Sequence, residues 1–526
     1  MTASGQAEKL PKVRSMTQTP LQHLLIGLLF LIGLGTLPTS VLAELKLSGI
    51  FSDHMVLQRD QRLPIWGWAD KNQKVTVMFS GQTVSTTADH SGFWQVNLTP
   101  LQHNSQGQEL SVQCGPESLT VRDIVIGDVW HASGQSNMAM QVRSVAQKIP
   151  AAKQHIAKAR FPAIRFRRVS ENQSAAPLAD LPVRGGWVPC SPASAANVSA
   201  AAFYFARKLH QELGVPIGII NTSRGGTPIE PFIPRDAFTS HPTLQQELKL
   251  GDQEDLRGIW KLPGGVYARD ANWLPGRLFH SRLSPITAFP VRGLIWYQGE
   301  SNCGKGEDPR DYQQKMRALI TGWRQALGDE SLPVYFVQLP GSGAGPGWPY
   351  LREQQRLSSN LPHTGMVVTI DLLDPDIHPP NKIDVGERLA RWALAEEYNK
   401  PVPFSGPLFQ RVTIDNESVI VHFTHADNGL MVAVKEGSQP PRETPDKTLK
   451  HFELADATGH WFPAEATINE NTIVVTSKQV PAPAAVRYAC AVNPQHCRLY
   501  NRSGLPASPF CSKAEFFHYA PELPVD

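Results

Sequence analysis

Five near-continuous apolar runs set the frame of this chain: "DIVIGDVW" (123–130), "VPIGII" (215–220), "RGLIWYQ" (292–298), "LPVYFVQL" (332–339) and "GMVVTID" (365–371). Runs with no polar alternation mark strands buried on both faces. Helical stretches separate them. The clearest is "DPRDYQQKMRALITGWRQALG" (308–328), where Tyr312, Met316, Leu319, Ile320, Trp323 and Leu327 share one face and Gly328 supplies the stop. Strands alternating with helices imply a parallel α/β sheet over residues 123–400.

The texture differs on either side. Between Glu44 and Arg122, "KVTVMF", "TVSTTA" and "FWQVNL" are short alternating or β-branched runs separated by turn clusters, the pattern of an antiparallel sandwich over 44–122. Beyond "NKPVPFSGP" (399–407) the β pattern returns in "RVTIDNESVIVHFTH" and "TINENTIVVTSKQV", giving a second β domain over 401–526. A length of 526 residues suits several such units.

The first 43 residues read as a secretory signal. Lys9, Lys12 and Arg14 precede the apolar run "LLIGLLFLIGLG", and Val41 and Ala43 stand at the positions a signal peptidase reads. The mature chain is then expected to start at Glu44, exported to the periplasm or outside the cell, with no stable membrane insertion. The formal net charge is +3, and the segment before position 44 supplies two of those charges through Lys9, Lys12, Arg14 and Glu8. A nearly neutral mature chain gives no reason to expect a nucleic acid as partner. The six cysteines show no zinc-like spacing. In an exported protein a disulfide is expected among Cys490, Cys497 and Cys511, and the Asn-Pro turn inside "CAVNPQHC" favours Cys490–Cys497.

Open parallel sheets bind ligands at the carboxyl ends of their strands, and four segments rich in chemistry begin where apolar runs stop. "DVWHASGQSNMAMQ" offers Ser136 and "GIINTSRGGTPIE" offers Gly225 and Gly226. "LIWYQGESN" offers Glu300 and Asn302, and "VVTIDLLDPDIHPPNK" offers Asp374, Asp376 and His378. Taken singly, the serine could be a helix cap, the glycines a turn, the asparagine a cap and the histidine an ordinary loop residue. Together they are the parts of acyl transfer: a nucleophile, backbone and amide donors for an oxyanion, and a base beside carboxylates.

The segments "GQSNM", "GGTPIE", "WYQGESN" and "DIHPPNKIDVGERLA", with "FSDHMVLQR" near the start and "LYNRSGLPASPF" near the end, resemble the sialate O-acetylesterase family, a branch of the SGNH (GDSL-like) hydrolases. The resemblance implies a flavodoxin-like α/β/α esterase core flanked by β domains, no metal or other cofactor, and an O-acetylated sugar or glycan as substrate. By position it implies Ser136 as nucleophile, His378 as base, and Gly226 and Asn302 as oxyanion donors alongside the Ser136 amide. The superfamily usually spaces its acid Asp-x-x-His, but Pro375 holds that place here. Asp376 is therefore favoured as the acid, with Asp374 second and Glu300 a further candidate. Ala132 and Arg224 stand where relatives often carry Cys and Trp, which would alter the rim. Acetylxylan or another plant polysaccharide would need the same machinery. A non-catalytic sugar-binding protein is the competing class, and the intact Ser136, His378 and Asn302 argue against it.

Overall fold

The computed structural model describes residues 44–170, 172–181, 185–253, 273–303, 308–342, 345–372, 374 and 376–519. The expected signal segment, 1–43, lies outside the described residues. The five apolar runs are strands of one mixed sheet. Eight of its eleven strands matter here: β1 (Val56–Gln58), β2 (Glu117–Gly134), β3 (Phe161–Arg168), β4 (Trp187–Cys190), β5 (Ile217–Asn221), β6 (Gly293–Tyr297), β7 (Val334–Val337) and β8 (Thr364–Val367). The order across the central part is β4-β3-β5-β2-β6-β7-β8. All neighbours there are parallel except β4, which closes one edge antiparallel to β3.

From β2 the chain first builds outward on one side, through β3 and β5, and later on the other, through β6, β7 and β8. The direction of winding therefore reverses at β2, and open sheets bind ligands beyond the carboxyl ends of the strands at such a reversal. Ser136 lies two residues past the end of β2.

The strand β2 also joins two regions. Its residues 117–126 pair antiparallel with Asn104–Cys114, its middle pairs with β1, and its last residues pair with β5 and β6. The expected division between 122 and 123 thus falls inside one strand. Asp128 is fully buried in it and accepts hydrogen bonds from Arg59 (3.0 Å), Gln58 (3.2 Å), Arg292 (3.3 Å) and Tyr398 (3.0 Å). A buried carboxylate is tolerated only with such partners.

Helices cover the sheet. α1 (Ser136–Ala139) follows β2 directly, and α2 (Ala200–Leu213) is capped by the Ser199 hydroxyl and closed by left-handed Gly214. α3 (Tyr312–Leu327) buries Tyr312, Met316, Leu319, Ile320 and Trp323 and ends at Gly328, also left-handed, as its spacing predicts. α4 (Trp348–Ser358) precedes β8, and α5 (Lys382–Glu396) packs along α2.

Residues 44–114 add short β-strands, three of them in a separate antiparallel sheet formed by Lys46–Leu47, Leu63–Trp68 and Phe93–Leu98. Residues 408–511 form three further sheets. The last of these regions is tied to the core by polar groups: buried Gln338 donates to Ser508 (3.0 Å), and Tyr500 donates to Asp371 (3.2 Å). None of the six cysteines forms a disulfide. The expected Cys490–Cys497 bridge is not formed: the Cys490 thiol is directed to the Phe510 carbonyl and the Cys497 thiol to that of Pro494.

Candidate active site

The turn that carries Ser136 is sterically exacting. Gly134, the last residue of β2, has φ +131°, and a Cβ there would overlap the Tyr297 carbonyl oxygen on β6. Only glycine fits both demands. Gln135 then donates its backbone N–H to that carbonyl at 3.0 Å, and Ser136 opens α1 with its side chain partly exposed. As the first residue of the helix, its N–H has no partner within the helix.

The loop after β8 faces this serine. His378 Nε2 lies 2.8 Å from Ser136 Oγ, and His378 Nδ1 lies 3.1 Å from Asp376 Oδ1. Burial pushes the Asp376 carboxyl up, but the neighbouring imidazole and the hydrogen bonds from His378 outweigh it, and the net shift is below the usual carboxylate value. The three carboxyl candidates are separated by geometry. Asp374 accepts from the Asp376 N–H at 3.0 Å and pairs with Lys148 at 3.6 Å, so it shapes the turn around Asp376. Glu300 faces Asn137 rather than the imidazole.

The loop after β5 lies on the other side of the serine. Arg224 donates its N–H to Gly134 O at 2.9 Å, and Gly225 approaches so closely that a Cβ on it would contact Ser136 Cβ at 3.7 Å. Gly226 is exposed with φ +66°. Ala132 is fully buried within β2 and so is no part of the rim.

Asn302 stands apart from this group. It is buried, and its Oδ1 accepts from the Ile229 N–H at 3.0 Å, which fixes the orientation of the amide. Its nitrogen then faces the buried Glu230 carboxylate at 3.0 Å and 3.3 Å. Glu230 is also paired with buried Lys315 at 2.5 Å. The Asn302 amide, expected as an oxyanion donor, is thus hydrogen-bonded to Glu230, and no hydrogen bond joins it to Ser136 or His378 among the described residues.

Two residues close to the site were not singled out in the sequence. Asn137 is buried beside Ser136, and Lys382 is buried at the first position of α5. A lysine at a helix N-terminus opposes the helix dipole. That misplacement is the signal by which Lys382 could have been found.

A family model described as "Carbohydrate esterase, sialic acid-specific acetylesterase" matches residues 268–395. Sialate O-acetylesterase of Rattus norvegicus is 28% identical over 93% of this chain and 98% of its own length. The Homo sapiens protein of that name is 28% identical over 88% of this chain and 92% of its own. A crystal structure of a carbohydrate acetylesterase from Xanthomonas citri is 34% identical, with a TM-score of 0.77, covering 89% of this chain and all of that one. The chain belongs to the sialate O-acetylesterase family. As a family member it is an esterase, and the groups gathered around Ser136 can be considered in terms of ester cleavage.

Proposed function

We propose that this esterase removes O-acetyl groups from sugars, O-acetylated sialic acid foremost, through an acetyl-Ser136 intermediate. The observation that carries the reading is the line from Ser136 Oγ to His378 Nε2 at 2.8 Å and from His378 Nδ1 to Asp376 at 3.1 Å. In it His378 takes the hydroxyl proton as Ser136 attacks the acetyl carbonyl, then returns it to the sugar hydroxyl that leaves. Water, activated by the same imidazole, hydrolyses the acetyl-serine. Asp376 holds the ring with Nε2 as acceptor and steadies the imidazolium. The backbone N–H groups of Ser136 and Gly226 receive the oxyanion, each donor supplying ~3 kcal/mol of the stabilisation. The core is read as a flavodoxin-like SGNH domain flanked by an N-terminal β region, continuous with it through β2, and a C-terminal β domain over 401–526.

Because the triad acts as a unit, Ser136→Ala and His378→Ala are each expected to lower turnover by on the order of 10⁴-fold, with the double variant little worse. Acetate release from a panel of O-acetylated sialosides, acetylxylan and acetylated pectin measures this and ranks the substrates. Near-parental activity of Ser136→Ala would exclude the mechanism. We also read residues 1–43 as a cleaved export signal. Intact-mass measurement of the mature protein is expected to give a chain beginning at Glu44, and retention of the leading residues would overturn that reading.

A further inference from the structure

The loop bearing His378 is gripped from below on both sides of the imidazole. Asn137 Nδ2 donates to the Ile377 carbonyl at 2.9 Å, and Lys382 Nζ donates to the Pro379 carbonyl at 2.5 Å. The two gripping residues are joined to each other, since Lys382 Nζ also donates to Asn137 Oδ1 at 2.6 Å. The remaining N–H of Asn137 is directed to Glu300 Oε1, whose second oxygen is buried without a partner among the described residues. Every polar atom of Asn137 is thus used, and its orientation is fixed: oxygen towards the ammonium, nitrogen towards the carboxylate and the loop.

Such an arrangement is costly to bury. Burial lowers the Lys382 ammonium to about 7 against the opposing pull of Glu300, and raises the Glu300 carboxyl to about 7 against the hydrogen bond from Asn137. A hydrophobic isostere in either place would fill the space without that cost. Neither residue touches Asp376 or the His378 ring through a hydrogen bond. What they determine is where the backbone on either side of the ring sits, and Asn137 is the residue immediately after Ser136.

We propose that Asn137, Lys382 and Glu300 form a positioning device that sets His378 against Ser136, by clamping the carbonyls of Ile377 and Pro379 to the helix that carries the nucleophile. This rests on the reading of Ser136 and His378 as nucleophile and base. Misplacement of a reacting group by about 1 Å costs on the order of 10²-fold in rate, so the clamp acts on kcat. Substrate binding, which it does not touch, stays as it was. The charged groups around it are Glu300, with Tyr297 facing both it and the Lys382 ammonium, and Asp374 and Asp376 at longer range from Lys382.

The test uses the full-length mature esterase with p-nitrophenyl acetate as substrate and a fluorophosphonate as probe of Ser136. Lys382→Met is expected to lower kcat and the labelling rate together by on the order of 10²-fold with KM within about threefold. Lys382→Arg, which keeps a cation at the same place, is expected to recover part of the rate. Glu300→Gln keeps a carbonyl for Asn137 but removes the charge, and is expected to lose kcat without change in KM; it decides the matter if Lys382→Met does not fold. Folded variants that keep kcat within about threefold of the parent overturn the clamp. A parent enzyme labelled no faster than Ser136→Ala overturns instead the reading of the serine on which the clamp depends.

Discussion

At the scale of single residues, the site separates groups that look interchangeable in sequence. "DPDIHPPNK" contains two carboxylates close to one histidine, of which the sequence reading ranks Asp376 first and Asp374 second. The loop makes the difference: Asp374 turns back to accept the Asp376 amide and faces Lys148, leaving Asp376 beside Nδ1. Asp376→Asn is therefore expected to lower turnover by about 10²- to 10⁴-fold, because an amide there favours the wrong imidazole tautomer. Asp374→Asn keeps an oxygen for the Asp376 N–H, so its loss is expected to be much smaller. Steady-state rates of the two variants measure the difference, and a larger loss in Asp374→Asn would exchange their roles. The depressed pKa of Asp376 means that this carboxylate stays charged through mild acidification, so its hold on the His378 ring persists there. Ser136 and His378 were legible because a nucleophile and a base at strand ends form a recognisable pair. Asn137 was not, since an asparagine after the serine is ordinary in sequence and only its burial reveals it, and Lys382 offered no more than its place at a helix N-terminus, against the dipole.

At the scale of elements, the strands that read clearly were those whose residues are apolar throughout. β3 was not foreseen because "FPAIRFRR" carries arginines that are buried in the fold. Arg165 Nη2 reaches Asp123 Oδ1 on β2 at 3.0 Å and Arg167 Nη2 reaches the Gly49 carbonyl of the N-terminal region at 2.9 Å, so each guanidinium is hydrogen-bonded inside the fold rather than to solvent. Pattern analysis scores those positions as solvent-facing, and the strand loses its apolar signature. The short β4, "WVPC", depends on β3 for its pairing and was hidden with it. The same logic explains Asn302. Its place after β6 pointed correctly to the strand-end cluster, but the loop "GGTPIE" brings the buried Glu230 beneath it, a tertiary pairing that no local spacing announces.

At the scale of the whole molecule, the regions outside the α/β sheet are linked to the ends of the strands that matter. Asp128 ties residues 58 and 59 to the strand leading to Ser136. Asp371 performs the equivalent task for the C-terminal region at the root of the His378 loop. It is almost wholly buried in its side chain, accepts two hydrogen bonds of 2.7 Å from Arg388 on α5, and takes a third from Tyr500 at 3.2 Å. Asn381, at the other end of the loop, donates to Gly437 of the same C-terminal region at 3.0 Å while its oxygen caps α5. The loop is thus anchored at both ends to a region that contributes no triad residue. Removing one partner of a buried ion pair leaves the other charge uncompensated and costs about 3–5 kcal/mol. Asp371→Ala is accordingly expected to lose stability of that order in denaturant unfolding, and to lose turnover even under conditions where it remains folded, because the loop carrying His378 is freed at its root. A variant that is destabilised but keeps parental kcat would show that the C-terminal region supports the fold without holding the base.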